Sequence, residues 1–173
     1  MRFDPVHIGG DFNVGHMAAC CAEHHNGILY VMKEFIDVLD TPNLIEAIDE
    51  EFQGRKIFSY PDSTGSKRQS TNANISDIKL LREAKYIIRA RSINPAVKDR
   101  IAAVNRAFER KKLFINTEAC PELTQALEQQ IYNTQGKPDK DSGLDHILDA
   151  LGYMVHYLMP VRSTGVQGIA VAQ

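Results

Sequence analysis

The chain has 173 residues, 43% of them apolar, and a formal charge of −2, enough for one domain with a real core and too little for two, since single domains usually run to roughly 100–200 residues. No apolar run approaches the roughly 20 residues that span a bilayer, and the start, with Asp4 and Pro5, lacks the basic-then-apolar layout of a signal peptide. Cys20, Cys21 and Cys120 are odd in number and lack metal-ligand spacing, which fits a reduced cytoplasmic setting.

The first 36 residues read as an antiparallel meander. Val6 to Asn13 leads into His16 to His24, the dipeptide Asn26-Gly27 marks a tight turn because both residues tolerate positive φ, and Ile28 to Phe35 returns. Cys20 and Cys21 fall on alternating faces of the second strand, so at most one is expected to face the core, and neither resembles an activated nucleophile. Thr41-Pro42 then opens a helix, with Thr41 as the N-cap and Leu44, Ile45, Ile48 and Phe52 at helical spacing. Ile57 to Tyr60 is a short strand ending at Pro61-Asp62, and 63–74 is a polar loop carrying Lys67 and Arg68.

Beta and alpha alternate from here. Ser76 caps a helix to about Ala84, Tyr86 to Arg89 reads as a strand, and Asn94-Pro95 opens a long helix with Val97, Ile101, Val104 and Phe108 on one face. Leu113 to Ile115 is a short extra strand, Pro121 to Tyr132 a further helix, and 134–142 a polar loop. The last helix runs from about Leu144 to Leu158, and 161–173 is expected to be a flexible tail after a domain of residues 1–160. This order implies an α/β fold: a mixed sheet of five or six strands, three antiparallel and then parallel ones, with helices on both faces. A right-handed crossover places the strand ending at Asp62 parallel to the strand ending at Asp11, with their C-terminal ends side by side.

The opening run Gly9-Gly10-Asp11-Phe12-Asn13 therefore puts a carboxylate at the tip of a central strand, and Asp62 joins it at the edge where such sheets place ligands. The closing helix supplies a third wall: Asp145 and Asp149 are four apart, and His146 and Asp149 three apart, so either pair shares a face while Leu148, Leu151 and Val155 turn to the sheet. Acid from three separate elements suits Mg²⁺ or Mn²⁺, hard cations that prefer oxygen ligands. Taken singly, an Asp at a strand end is more often a turn former, Asp145 a helix-capping acid and His146 an exposed residue; their coincidence carries the reading. Residues 55–112 hold 15 of the 20 Lys and Arg but 5 of the 22 Asp and Glu. This patterning fits either a basic face for a polyanion or a solvated helical surface. Thr64-Gly65-Ser66-Lys67 lacks phosphate-loop spacing and no His-Glu-x-x-His occurs, which argues against those ATPase and zinc-protease routes.

At this point the chain, over roughly residues 6–159, resembles the C-terminal nuclease domain of the large terminase subunit of tailed bacteriophages, which has a ribonuclease H-like fold. The resemblance rests on the Gly-Gly-Asp-Phe-Asn opening before a hairpin ending in Val31-Met32-Lys33-Glu34-Phe35, on the Asp62 strand end, on Leu113-Phe114-Ile115 followed by Cys120-Pro121-Glu122-Leu123, and above all on Leu144-Asp145-His146-Ile147-Leu148-Asp149-Ala150-Leu151-Gly152-Tyr153. The last segment is similar to the family's closing motif Asp-His-x-x-Asp-Ala-x-Arg-Tyr, with Gly152 where arginine is common.

The resemblance implies metal-binding acids at Asp11, Asp62 and the closing motif, where Asp145 and Asp149 rank above His146 and the choice among them stays open. It implies endonucleolytic cleavage of double-stranded DNA during genome packaging in the bacterial host's cytoplasm. Two Mg²⁺ or Mn²⁺ ions about 4 Å apart would generate hydroxide and stabilise the leaving 3′ oxygen. Lys67, Arg68, Arg89 and Arg91 would neutralise DNA phosphates. The implied partners are a packaging ATPase domain, the portal protein and the small terminase subunit, with no membrane. Because the chain lacks that ATPase, it is expected to be an excised fragment with an added starting methionine. The rivals are another ribonuclease H-like nuclease such as a Holliday-junction resolvase, and a DNA-binding or docking module inactive in isolation.

Overall fold

The computed structural model describes residues 4–12, 15–62, 76–131 and 143–161. Among them are six strands and five helices in the order β1 (Val6–Asp11), β2 (Met17–His25), β3 (Ile28–Val38), α1 (Thr41–Glu51), β4 (Ile57–Pro61), α2 (Asp77–Glu83), β5 (Ile87–Ile88), α3 (Val97–Glu109), β6 (Leu113–Ile115), α4 (Pro121–Gln129) and α5 (Asp145–Leu158). The strands form one mixed sheet in the order β5-β4-β1-β2-β3-β6. The meander pairs antiparallel, and β4, β5 and β6 add parallel to β1, β4 and β3. Asn26 and Gly27 both adopt positive φ, which lets the β2–β3 hairpin close in two residues.

Core lies on both sides of this sheet. On one face Val6, Ile8, Met17, Ala19 and Cys21 meet Leu44 and Ile48 of α1 and Leu81 of α2. On the other, Ala18, Cys20, Ala22 and Leu29 meet α3, α4 and the apolar stripe of α5, including Ile147, Leu151, Met154 and Val155. Cys20 and Cys21 are therefore both fully buried, contrary to the expectation that at most one faces the core: alternation exposes a residue only when one face of the sheet is left to solvent. Of the three leucine and valine positions expected to face the sheet from α5, Leu151 and Val155 are fully buried, and Leu148 is half-buried.

Two local expectations are corrected. Asp40, not Thr41, caps α1, its carboxylate accepting from the Asn43 amide at 3.0 Å, while the Thr41 hydroxyl turns inward to donate to Asp77. The buried stripe of α3 is Arg100, Ala103, Val104 and Ala107, and the predicted Val97 and Phe108 are exposed. The rotation follows from what α3 packs on, because small alanines let it approach α5 closely. The expected strand from Tyr86 to Arg89 shrinks to Ile87–Ile88, and α4 stops at Gln129. The loops at 63–74 and 134–142, Asn13, and residues 162–173 of the expected tail lie outside the described residues.

Candidate active site

Alternation along the two central strands decides where the acids point. β1 and β4 run parallel with His7 opposite Phe58 and Gly9 opposite Tyr60. His7 stacks on Phe58 and Tyr60, and a Cβ on Gly9 would point at α5. Period two carries the same face to Asp11 and, just beyond β4, to Asp62, on neighbouring strands about 5 Å apart. Both are buried, with 6% and 5% of their surface exposed.

The first turn of α5 closes over them. The His146 imidazole places Nδ1 2.9 Å from Asp11 Oδ2 and stacks on His16, whose Nδ1 sits 3.1 Å from Asp37. Burial pushes the Asp11 carboxyl up to about 6, and the charges of Asp149 and Asp62 add to the rise against the opposing His146 hydrogen bond. Asp149, one turn on, pairs with the Arg100 guanidinium at 2.6 Å. Asp145 is also buried, and it lines a groove between α3, α4 and α5 together with Leu148 and Asp149. The structure thus brings His146 into contact with Asp11, leaves Asp62 and Asp149 near enough for their charges to act on it, and sets Asp145 on the wall of the adjoining groove.

Two residues near these acids have no counterpart in the sequence reading. Asp77, the first residue of α2, is buried, accepts a 2.6 Å hydrogen bond from Thr41, and is raised by burial with Asp62 adding repulsion. Its only sequence signal was a position just after the Ser76 cap. Arg100 was one basic residue among many in the middle block. The glycine at 152, which clears space for it, was the available clue.

Of the expected phosphate-binding residues, Lys67 and Arg68 lie outside the described residues. Arg89 and Arg91 are exposed, their guanidiniums 5.5 Å above the Phe58 and Tyr157 rings. Both border a narrow cleft whose wall includes Pro61, the residue before Asp62. Among the described residues, no three His, Cys, Asp or Glu groups are placed to hold an ion together. The donors nonetheless suit a hard dication in type, since carboxylate oxygens from adjacent strand ends are crowded by like charge that a cation would relieve.

Residues 8–158 match the terminase RNaseH-like domain family. Among solved structures, the large terminase of a thermophilic bacteriophage in complex with ATP-gamma-S aligns with a TM-score of 0.73 and 18% identity, over 93% of this chain and 42% of that one. The g2p nuclease domain of bacteriophage SPP1 with bound Mn aligns at 0.58 and 18%, over 88% of this chain and 86% of that one. The large terminase nuclease of thermophilic phage G20c with bound magnesium aligns at 0.55 and 11%, over 87% and 80%. No curated protein gives a significant match. The chain spans less than half the length of the large terminase solved with ATP-gamma-S. With a six-stranded mixed sheet of this order, an acid pair on its central strand ends and a match across nearly its whole described length, the chain belongs to the terminase RNaseH-like domain family.

Proposed function

We propose that this domain is a metal-dependent endonuclease that cuts double-stranded DNA during phage genome packaging. The observation that carries the reading is the convergence of Asp11 and Asp62 on one sheet face beneath His146 and Asp149. The manganese in the SPP1 domain and the magnesium in the G20c nuclease support Mg²⁺ or Mn²⁺ as the cofactor, and we assign two ions. When bound, such ions supply a nucleophilic water of lowered pKa and stabilise the leaving 3′ oxygen.

The chain's own residues hold and orient. Asp11, Asp62 and Asp149 offer carboxylate oxygens, Asp145 lies one turn before Asp149, and His146 fixes one oxygen of Asp11. Arg89 and Arg91, with Lys67 and Arg68, neutralise the phosphate backbone, which positions DNA without reading its sequence. In the intact terminase the domain works beside a packaging ATPase, the portal and the small subunit, in the host cytoplasm.

The test is cleavage of linear duplex and of a four-way junction by the 173-residue chain in Mn²⁺. Nicking of linear duplex is expected. Preference for the junction would favour a resolvase, and persistent DNA binding without cutting would favour a docking module.

A further inference from the structure

Arg100 is the one Lys or Arg that is buried among the described residues, with 5% of its surface exposed. A buried guanidinium is held only where something compensates its charge. Here Nη2 donates to Asp149 Oδ1 at 2.6 Å, Nη1 to the Pro95 carbonyl at 3.3 Å, and the head stacks 4.3 Å above the Tyr153 ring. Nε is buried without a hydrogen-bond partner, so the side chain is committed to Asp149 rather than to a full set of its own donors. Gly152 makes this possible. A Cβ there would stand 3.1 Å from Arg100 Cβ and 3.4 Å from Cδ, tighter than ordinary packing.

We propose that Arg100 is a resident counter-ion of the acid cluster: by neutralising Asp149 it weakens divalent-ion binding in the DNA-free protein. Arg100 is a positioning residue, acting on the site through Asp149. The inference rests on the metal-site reading above. A fixed positive charge one carboxylate away from a bound dication repels it, and even at water-like screening this weakens binding about tenfold. Losing the arginine would also free the Asp149 rotamer, an ordering cost that is smaller than the repulsion removed.

The same geometry allows the charge to be moved. Position 152 is three residues after Asp149 on α5, a spacing at which an arginine reaches an aspartate on the same helix face. Its Cβ would point into the space that the Arg100 side chain occupies. Truncating Arg100 to alanine leaves only its Cβ, 3.1 Å from the new one, a contact relieved by a shift of a few tenths of an ångström, so an arginine at 152 can then serve Asp149.

The experiment measures Mn²⁺ affinity by titration calorimetry on the full chain, with circular dichroism and thermal melting to verify folding. Arg100→Gln is expected to bind Mn²⁺ about tenfold more tightly than the parent. Arg100→Lys, which keeps the charge, and the double variant Arg100→Ala/Gly152→Arg, which relocates it, are expected within about threefold of the parent. A folded Arg100→Gln that binds with the parent's affinity or more weakly overturns the proposal. Should Arg100→Gln not fold, Arg100→Ala/Gly152→Gln, which fills the same space without the charge, is expected to bind Mn²⁺ about tenfold more tightly than Arg100→Ala/Gly152→Arg, and equal affinities in that pair overturn the proposal. A parent that binds no Mn²⁺ defeats the metal-site reading and this inference with it, whereas a binding parent matched by Arg100→Gln defeats this inference alone.

Discussion

The backbones of Gly9 and Ala150 touch: a Cβ on Gly9 would collide with the Ala150 carbonyl oxygen and crowd Met154 Cβ. That contact lets α5 lie on β1 closely enough for His146 to reach Asp11. Neither partner can yield cheaply, because one is a helix backbone and the other a central strand. Gly9→Ala is therefore expected to destabilise the fold by about 3 kcal/mol or more, at the upper end of overpacking costs. Urea unfolding followed by circular dichroism measures it, and a loss under about 1 kcal/mol would mean the helix can shift freely.

Asp11 and Asp62 are both buried, and burial disfavours the charged form of Asp11. Asp11→Asn and Asp62→Asn should each abolish Mn²⁺-dependent nicking. Without metal at neutral pH, Asp11→Asn should melt no lower than the parent, since it removes a carboxylate that burial already disfavours. Cleavage at the parent rate by either variant would remove that residue from the site.

Mn²⁺ should raise the parent's melting temperature by mass action, because the folded state presents these carboxylates together. The Asp11→Ala/Asp62→Ala double variant should show little of that rise. An equal shift in both proteins would place the ion elsewhere.

His7 offers a pH test away from the acids. Burial holds its imidazole down to about 4, with His24 adding to the effect, while Nδ1 lies 2.6 Å from the Tyr60 hydroxyl. The unfolded chain takes the proton near 6.5 and the folded one only near 4, so the folded state loses stability as pH falls between them, by about 3 kcal/mol at most. Asp11, whose carboxyl is raised, drifts the opposite way over the same window, so the difference between parent and His7→Phe isolates the imidazole. The variant is expected to lose less stability on acidification from pH 6.5 to 4. Parallel curves would dismiss His7 as a contributor.

Arg89 and Arg91 are exposed, so their replacement by Ala should leave the melting temperature nearly unchanged. Each should weaken DNA binding and flatten the slope of log affinity against log salt by about one unit. Fluorescence anisotropy with a labelled duplex in EDTA reads this without cleavage, and an unaltered slope would rule out a phosphate contact for that residue.

The parts of the candidate site's placement legible in the sequence were those set by local period and chain order. Strand alternation and a right-handed crossover sufficed to seat Asp62 beside Asp11, and helical spacing sufficed to put His146 and Asp149 on one face. What stayed hidden depended on which surfaces meet. Cys21 is buried because α1 and α2 cover the second sheet face, Thr41 turns inward because Asp77 awaits it, and the α3 stripe rotates to bring Arg100 onto Asp149. None of these follows from spacing within one element, and each concerns a polar or small residue whose role is chosen by a partner distant in the chain.

The three cysteines, sealed within the two cores, give the protein an internal clock. Burial holds all three thiols above the usual range, Cys120 at about 11, so they stay protonated and out of reach of alkylating reagents while the domain is closed. Labelling rate then reports how often each side of the sheet opens, with Cys21 timing the α1–α2 layer and Cys20 and Cys120 the α3–α5 layer.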